Sequence, residues 1–161
     1  MKKKVLFVCT GNTCRSSMAE ALFKKMLEEL GEDYKGIEII SAGTAAIDGG
    51  PATTHVVTVM SEEGLDLSGH RSRRLTSSMI KEADLILTMT RRHKEFVVSM
   101  APEAKGKVFL LKEFADENID VDSDSADILD PYGCSEEVYR ECAEEIKEYL
   151  KGIIKKIKKE G

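Results

Sequence analysis

The chain has 161 residues, 42% of them hydrophobic and 33% charged, with a formal net charge of −5 at pH 7. That length and apolar content suit one domain with a sizeable core, and the negative balance argues against nucleic acid as a general partner. No apolar stretch approaches membrane-spanning length, and Met1-Lys2-Lys3-Lys4 leads into a run too brief for a signal-peptide core, so no membrane partner and a cytoplasmic location are expected.

Val5-Leu6-Phe7-Val8 has the apolar, partly β-branched make-up of a buried strand. The residues Cys9 to Ser16 follow it directly, and from Arg15 to Leu30 apolar side chains recur at Met18, Leu22, Met26 and Leu30, a helical spacing. Ile37–Ile40, Asp84–Thr88 and Lys107–Leu111 read as three further strands. Helices are expected over His55–Glu63, Ser77–Ala83, Arg91–Met100 and Glu136–Ile157, the last capped by Ser135 with Glu136 and Glu137 in its first turn. Strands alternating with helices imply an α/β fold: a doubly wound, four-stranded parallel sheet with helices on both faces, in a single domain over residues 1–161. In such sheets ligands bind beyond the C-terminal ends of the strands, where the Cys9 loop falls. Lys151, Lys155, Lys156, Lys158 and Lys159 read as a solvated face that complements the C-terminus of the last helix.

The segment from Glu113 to Asp130 is acidic. Its Asp120-x-Asp122-x-Asp124 has the start of a calcium loop, but Ser125 replaces the sixth-position glycine and Pro131 the twelfth-position glutamate, so no metal is expected. An exposed mobile loop that shapes substrate choice is the expected role.

A short loop between a strand and a helix N-terminus can turn its own amides inward and adds the positive end of the helix dipole, which together hold a dianion. Gly11 and Asn12 both tolerate positive φ and would let the loop close tightly. Arg15 offers a planar fork that binds two phosphate oxygens at once. In that field the Cys9 thiol is expected to act as a thiolate nucleophile, with the Ser16 hydroxyl donating to its sulfur.

Val8-Cys9-Thr10-Gly11-Asn12-Thr13-Cys14-Arg15-Ser16 resembles the Cys-x5-Arg-Ser signature of the low-molecular-weight protein tyrosine phosphatase family, and the likeness covers essentially the whole chain. The resemblance implies hydrolysis of phosphorylated protein side chains through a cysteinyl-phosphate intermediate, with inorganic phosphate as product, and Thr10, Gly11, Asn12, Thr13, Cys14 and Ser16 around the phosphoryl group. Asp130-Pro131-Tyr132 matches the family's general-acid motif: Asp130 would protonate the leaving group and then take a proton from water, Pro131 would aim it, and Tyr132 would wall the substrate. Ser41-Ala42-Gly43 is a further match, and the family implies that Asn12, Ser16, Ser41 and His70 form a network holding the loop. Thr13 and Gly133 are similar to the protein arginine phosphatases of the family, where tyrosine-directed members have a larger aliphatic residue and a second aromatic, so phosphoarginine is expected with phosphotyrosine close behind. Ser17 departs from the usual proline and would loosen the exit of the loop.

No cofactor is expected, and the active form is expected to be a monomer. Cys14 could resolve a sulfenic acid on Cys9 as a disulfide, against the alternative of a small buried residue; the four cysteines otherwise read as free thiols. An arsenate reductase shares a similar loop but needs further redox cysteines, and none lies between Cys14 and Cys134. A non-catalytic phosphate-binding or phospho-carrier module would have no use for Asp130.

Overall fold

A computed structural model describes residues 3–160, and in it both faces of the first strand, β1 (Lys3–Cys9), are apolar: Val5, Phe7 and Cys9 point into one buried cluster, Leu6 and Val8 into another. That burial on both sides is what a central strand of a parallel sheet requires. β1 pairs with β2 (Ile37–Gly43) on one edge and β3 (Leu85–Thr88) on the other, and β3 pairs with β4 (Val108–Leu110). All pairs are parallel and the order is β2-β1-β3-β4.

Helix α1 (Arg15–Leu30), α2 (Thr54–Glu62) and α6 (Glu136–Glu160) cover the face carrying Phe7, with Phe23 edge-on to Phe7 at 5.8 Å between centroids. α3 (Ser77–Glu82) and α4 (Arg91–Met100) cover the other face through Ile80 and Val97. The doubly wound α/β architecture is as expected. From β1 the chain turns to one side of the sheet and from β3 to the other, so the loops after these two strands lie side by side at a switch point.

Element ends differ from the periodicity reading where local contacts decide them. β2 runs on through Ser41-Ala42-Gly43 because Phe7↔Ser41 and Cys9↔Gly43 remain in register. The fourth strand is shorter than Lys107–Leu111, because a 3₁₀ turn occupies Pro102–Lys107 and Leu111 opens a five-residue helix, α5 (Leu111–Ala115). Met1, Lys2 and the side chain of Lys159 lie outside the described residues.

The acidic segment is not the free loop its composition suggests. Ala126 and Ile128 are fully buried, and the Ile128 N–H donates to Met89 O at 2.8 Å. Arg91, at the start of α4, donates to Asp127, to Asp124 and to the Asp122 carbonyl. Lys112, nearly buried, bonds Ser125 O and Glu145 at 2.8 Å each and lies over the Tyr149 ring. Composition registers the carboxylates but not the two apolar anchors and two cations that pin them. Asp120 accepts from Asp122 N–H while Asp124 pairs with Arg91, so these side chains are spent on the protein itself.

Candidate active site

Cys9 ends β1 and Arg15 begins α1, so five residues make the turn between a fixed strand and a fixed helix. Where the loop's carbonyls go determines where its amides point. Cys9 O accepts from Thr44 N–H, Thr10 O from Ala45 N–H, Thr13 O from Thr53 N–H, and Asn12 O from the His70 ring at 2.7 Å. Every one of those donors lies outside the loop, which leaves the N–H groups facing inward. Asn12 N–H reaches Cys9 Sγ at 3.3 Å, and among the described residues those of Gly11, Thr13 and Cys14 have no acceptor.

Asn12 sits at φ 57°, the one non-glycine in the left-handed region among the described residues, and its side chain shows what holds it there. Its Oδ1 accepts from Arg73 N–H at 2.9 Å, and since that N–H can only donate, the amide nitrogen must face the other way. It donates to Ser16 Oγ and Ser41 Oγ, both at 2.8 Å. Ser41 hands its proton on to Glu20, and Ser16, its oxygen already accepting, has its proton free for Cys9 Sγ at 2.8 Å. Ser16, Ser41 and His70 are thus brought together around Asn12, and Ser16 and Asn12 in turn reach the sulfur. Gly43 completes the packing: a Cβ there would come 2.4 Å from Thr10 O and 2.9 Å from Asn12 N, so the loop lies on bare backbone.

Gly11 does not take the positive φ expected for it. An added Cβ would meet Thr13 Oγ1 only at 3.5 Å, so the left-handed turn belongs to Asn12 alone. Ser17 donates to Cys14 O at 2.8 Å and is buried, tying the loop's exit down by a side chain where proline would stiffen it through its ring.

The loop floors a cavity of about 280 Å³ that Pro51, Thr53, Asp130 and Tyr132 wall, so Cys9 and Asp130 face one space despite 121 positions between them. Arg15 is 4% exposed; Nη1 donates to Ile128 O at 2.8 Å and Nη2 lies 3.6 Å from Asp130 Oδ2. Its Nε is buried with no partner, the sole such side-chain atom among the described residues. An orphaned N–H on a buried cation costs roughly 1–3 kcal/mol unless an acceptor arrives. Asp130 Oδ1 accepts from Tyr132 N–H, and Cys134 N–H closes a turn onto Pro131 O with Gly133 at φ 82°, a backbone state an aromatic residue would adopt only under strain. Tyr132, 70% exposed, stands on that turn.

The low molecular weight phosphotyrosine protein phosphatase family model matches residues 4–161. The chain belongs to this family. It is a cysteine-based protein phosphatase, and as such acts on phosphorylated proteins. The protein-arginine-phosphatase of Bacillus subtilis strain 168 is 40% identical over 97% of each chain. Among solved structures, the YwlE arginine phosphatase of Geobacillus stearothermophilus superposes with a TM-score of 0.86 at 38% identity, covering 98% of this phosphatase and 94% of that chain. A low molecular weight protein tyrosine phosphatase from T. tengcongensis superposes equally, at 0.86 and 42% identity, over 96% of this chain and 99% of its own.

Several contacts of the phosphatase site escaped the sequence reading. His93, 5% exposed, bonds Thr10 Oγ1 through Nε2 at 2.9 Å and Thr90 Oγ1 through Nδ1 at 3.0 Å. Burial, then the Arg15 guanidinium, pushes its pKa down to about 4, so the ring is neutral. A histidine in the first turn after a strand of a doubly wound sheet was the available signal. Cys14 lies 3.7 Å from Tyr139 Oη and 3.8 Å from Thr53 Oγ1, and burial holds its thiol above the usual range. No helix among the described residues is long and apolar enough to cross a membrane.

Proposed function

We propose that this phosphatase hydrolyses phosphoarginine on proteins, with Cys9 as nucleophile, Arg15 and the loop amides as the phosphoryl clamp, and Asp130 as general acid and then base. The unpartnered Arg15 Nε carries the phosphoryl part: a phosphoryl oxygen supplies the acceptor that this buried donor lacks, in the cavity that Arg15 and the loop line together. Sulfur attack on phosphorus, with the P–N bond breaking opposite, places the leaving guanidine on the Asp130 side of the cavity. Its proton comes from the carboxyl group, and water, deprotonated by the same carboxylate, then cleaves the cysteinyl phosphate. Ser16 and Asn12 N–H, both on Cys9 Sγ, stabilise the thiolate in each half-reaction.

Thr13 supports phosphoarginine over phosphotyrosine. It is half-buried at the wall of the cavity beside Thr53, and its hydroxyl is an acceptor for a phosphoguanidine N–H that an aliphatic side chain would lack. Gly133, at positive φ next to the cavity-lining Tyr132, puts no second aromatic ring beside it. Relatives named for either substrate resemble the chain about equally, so identity does not separate the two. Parallel assays on phosphoarginine and phosphotyrosine peptides test the assignment. Thr13→Ile is expected to raise the phosphotyrosine to phosphoarginine ratio of kcat/KM by about 10-fold; an unchanged ratio would remove Thr13 from specificity.

Peroxide regulation is a further part of this reading. Peroxide converts the Cys9 thiolate to a sulfenic acid with loss of hydroxide, and the Cys14 thiol condenses with it to a disulfide and water. Cys14 is buried and protonated in the resting state, so it survives as the resolving thiol. After peroxide and then a dithiol, the parent should regain more activity than Cys14→Ala; equal recovery refutes the switch.

A further inference from the structure

The loop after β1 and the first turn of α4, which follows β3, meet at one pair of side chains, Thr10 and His93, and their hydrogen bonds can be counted. Thr90 Oγ1, which caps α4, already accepts from the His93 backbone N–H at 3.2 Å, and its own proton is available to His93 Nδ1 at 3.0 Å. That puts the ring proton on Nε2, which then donates to Thr10 Oγ1 at 2.9 Å. Arg15 Nη2 donates weakly to the same oxygen at 3.5 Å. With its oxygen accepting from two sides, the Thr10 hydroxyl has its proton left over, and Thr10 is an exposed residue on the rim of the Cys9 cavity. The opposite tautomer would turn that proton back onto Nε2 and leave a lone pair facing the incoming anion.

We infer that His93 is a positioning residue that fixes the Thr10 hydroxyl as a side-chain donor to a phosphoryl oxygen, so that the β3–α4 corner takes part in phosphate recognition. The inference rests on the phosphoryl site described above. Its neutral, buried ring suits the task, because an imidazolium there would stand beside Arg15 with no carboxylate bonded to it.

The test uses inorganic phosphate as competitive inhibitor of p-nitrophenyl phosphate hydrolysis. Thr10→Val, which keeps the shape and removes the hydroxyl, should weaken phosphate inhibition roughly 10-fold, and Thr10→Ser should stay within about twofold of the parent. His93→Ala should weaken inhibition by a factor similar to Thr10→Val, and Thr10→Val with His93→Ala together should do no more than Thr10→Val alone. If His93→Ala does not fold, the Thr10→Val and Thr10→Ser pair, at an exposed position, carries the test. Unchanged inhibition in Thr10→Val overturns the inference, as does a full His93→Ala penalty on the Thr10→Val background. A parent that phosphate fails to inhibit overturns the phosphoryl site itself, and this inference with it.

Discussion

Cys9→Ser is expected to lower phosphatase turnover by about 10⁴-fold or more while leaving the fold and phosphate binding in place. Serine differs by one atom in a site whose shape is set by carbonyls bonded outward and by Asn12, none of which the substitution touches. What changes is the proposed nucleophile: a hydroxyl needs a base to remove its proton, and nothing bonded to this position can serve as one. Ser16 Oγ is itself a hydroxyl already accepting from Asn12, and the other partner is an N–H. Arg15 Nε and the free amides of Gly11, Thr13 and Cys14 remain, so inhibition constants for inorganic phosphate should stay within a few-fold of the parent in a binding assay. Thermal melting should shift by no more than a few degrees, the effect of about 1 kcal/mol in a domain of this size. Retention of a tenth of the parental rate on p-nitrophenyl phosphate would exclude Cys9 as the attacking atom.

The part of this site legible in the sequence is the part that is local. A strand, a five-residue turn and a helix start bring Cys9, Asn12, Arg15 and Ser16 together through backbone geometry alone, and apolar periodicity is enough to find both elements. Contacts that join distant segments left no such trace. Ile128 reads as one apolar residue in an acidic run, yet its carbonyl anchors Arg15 across 113 positions and its N–H docks on β3's exit. Glu20 looks like any exposed helix acid, and only the fold shows it ending the chain from Asn12 through Ser41. His93 lies 83 positions from Thr10, and no spacing rule connects a helix's first turn with a loop on the neighbouring strand. The misplaced positive φ has a different origin. Gly11 and Asn12 can both adopt it, and the choice falls on Asn12 because four polar partners beyond the loop hold that residue, at a strain cost of order 1 kcal/mol.

Asp130→Asn separates the acid's chemistry from its place in the loop. Asparagine keeps a carbonyl oxygen, so the bond from Tyr132 N–H that fixes the Pro131–Cys134 turn can persist. The proposed proton donor is lost, and kcat on a protein substrate should fall by roughly 10²–10⁴-fold. The loss should be smaller on p-nitrophenyl phosphate, whose leaving group departs readily as the anion, than on phosphoarginine, where the leaving nitrogen would have to depart as a guanidinide anion. Binding should move in the opposite direction. Asp130 Oδ2 stands 3.6 Å from Arg15 Nη2 and is half exposed, so in the free enzyme it competes with an incoming dianion for the same guanidinium. Removing that charge should leave inorganic phosphate inhibition unchanged or tighter by up to a few-fold. Lower kcat with undiminished phosphate affinity is the signature of a group acting on the leaving atom. If phosphate affinity and kcat fell together, and by equal factors on aryl and guanidino substrates, Asp130 would be holding the cavity's shape, and the proton would have to come from elsewhere.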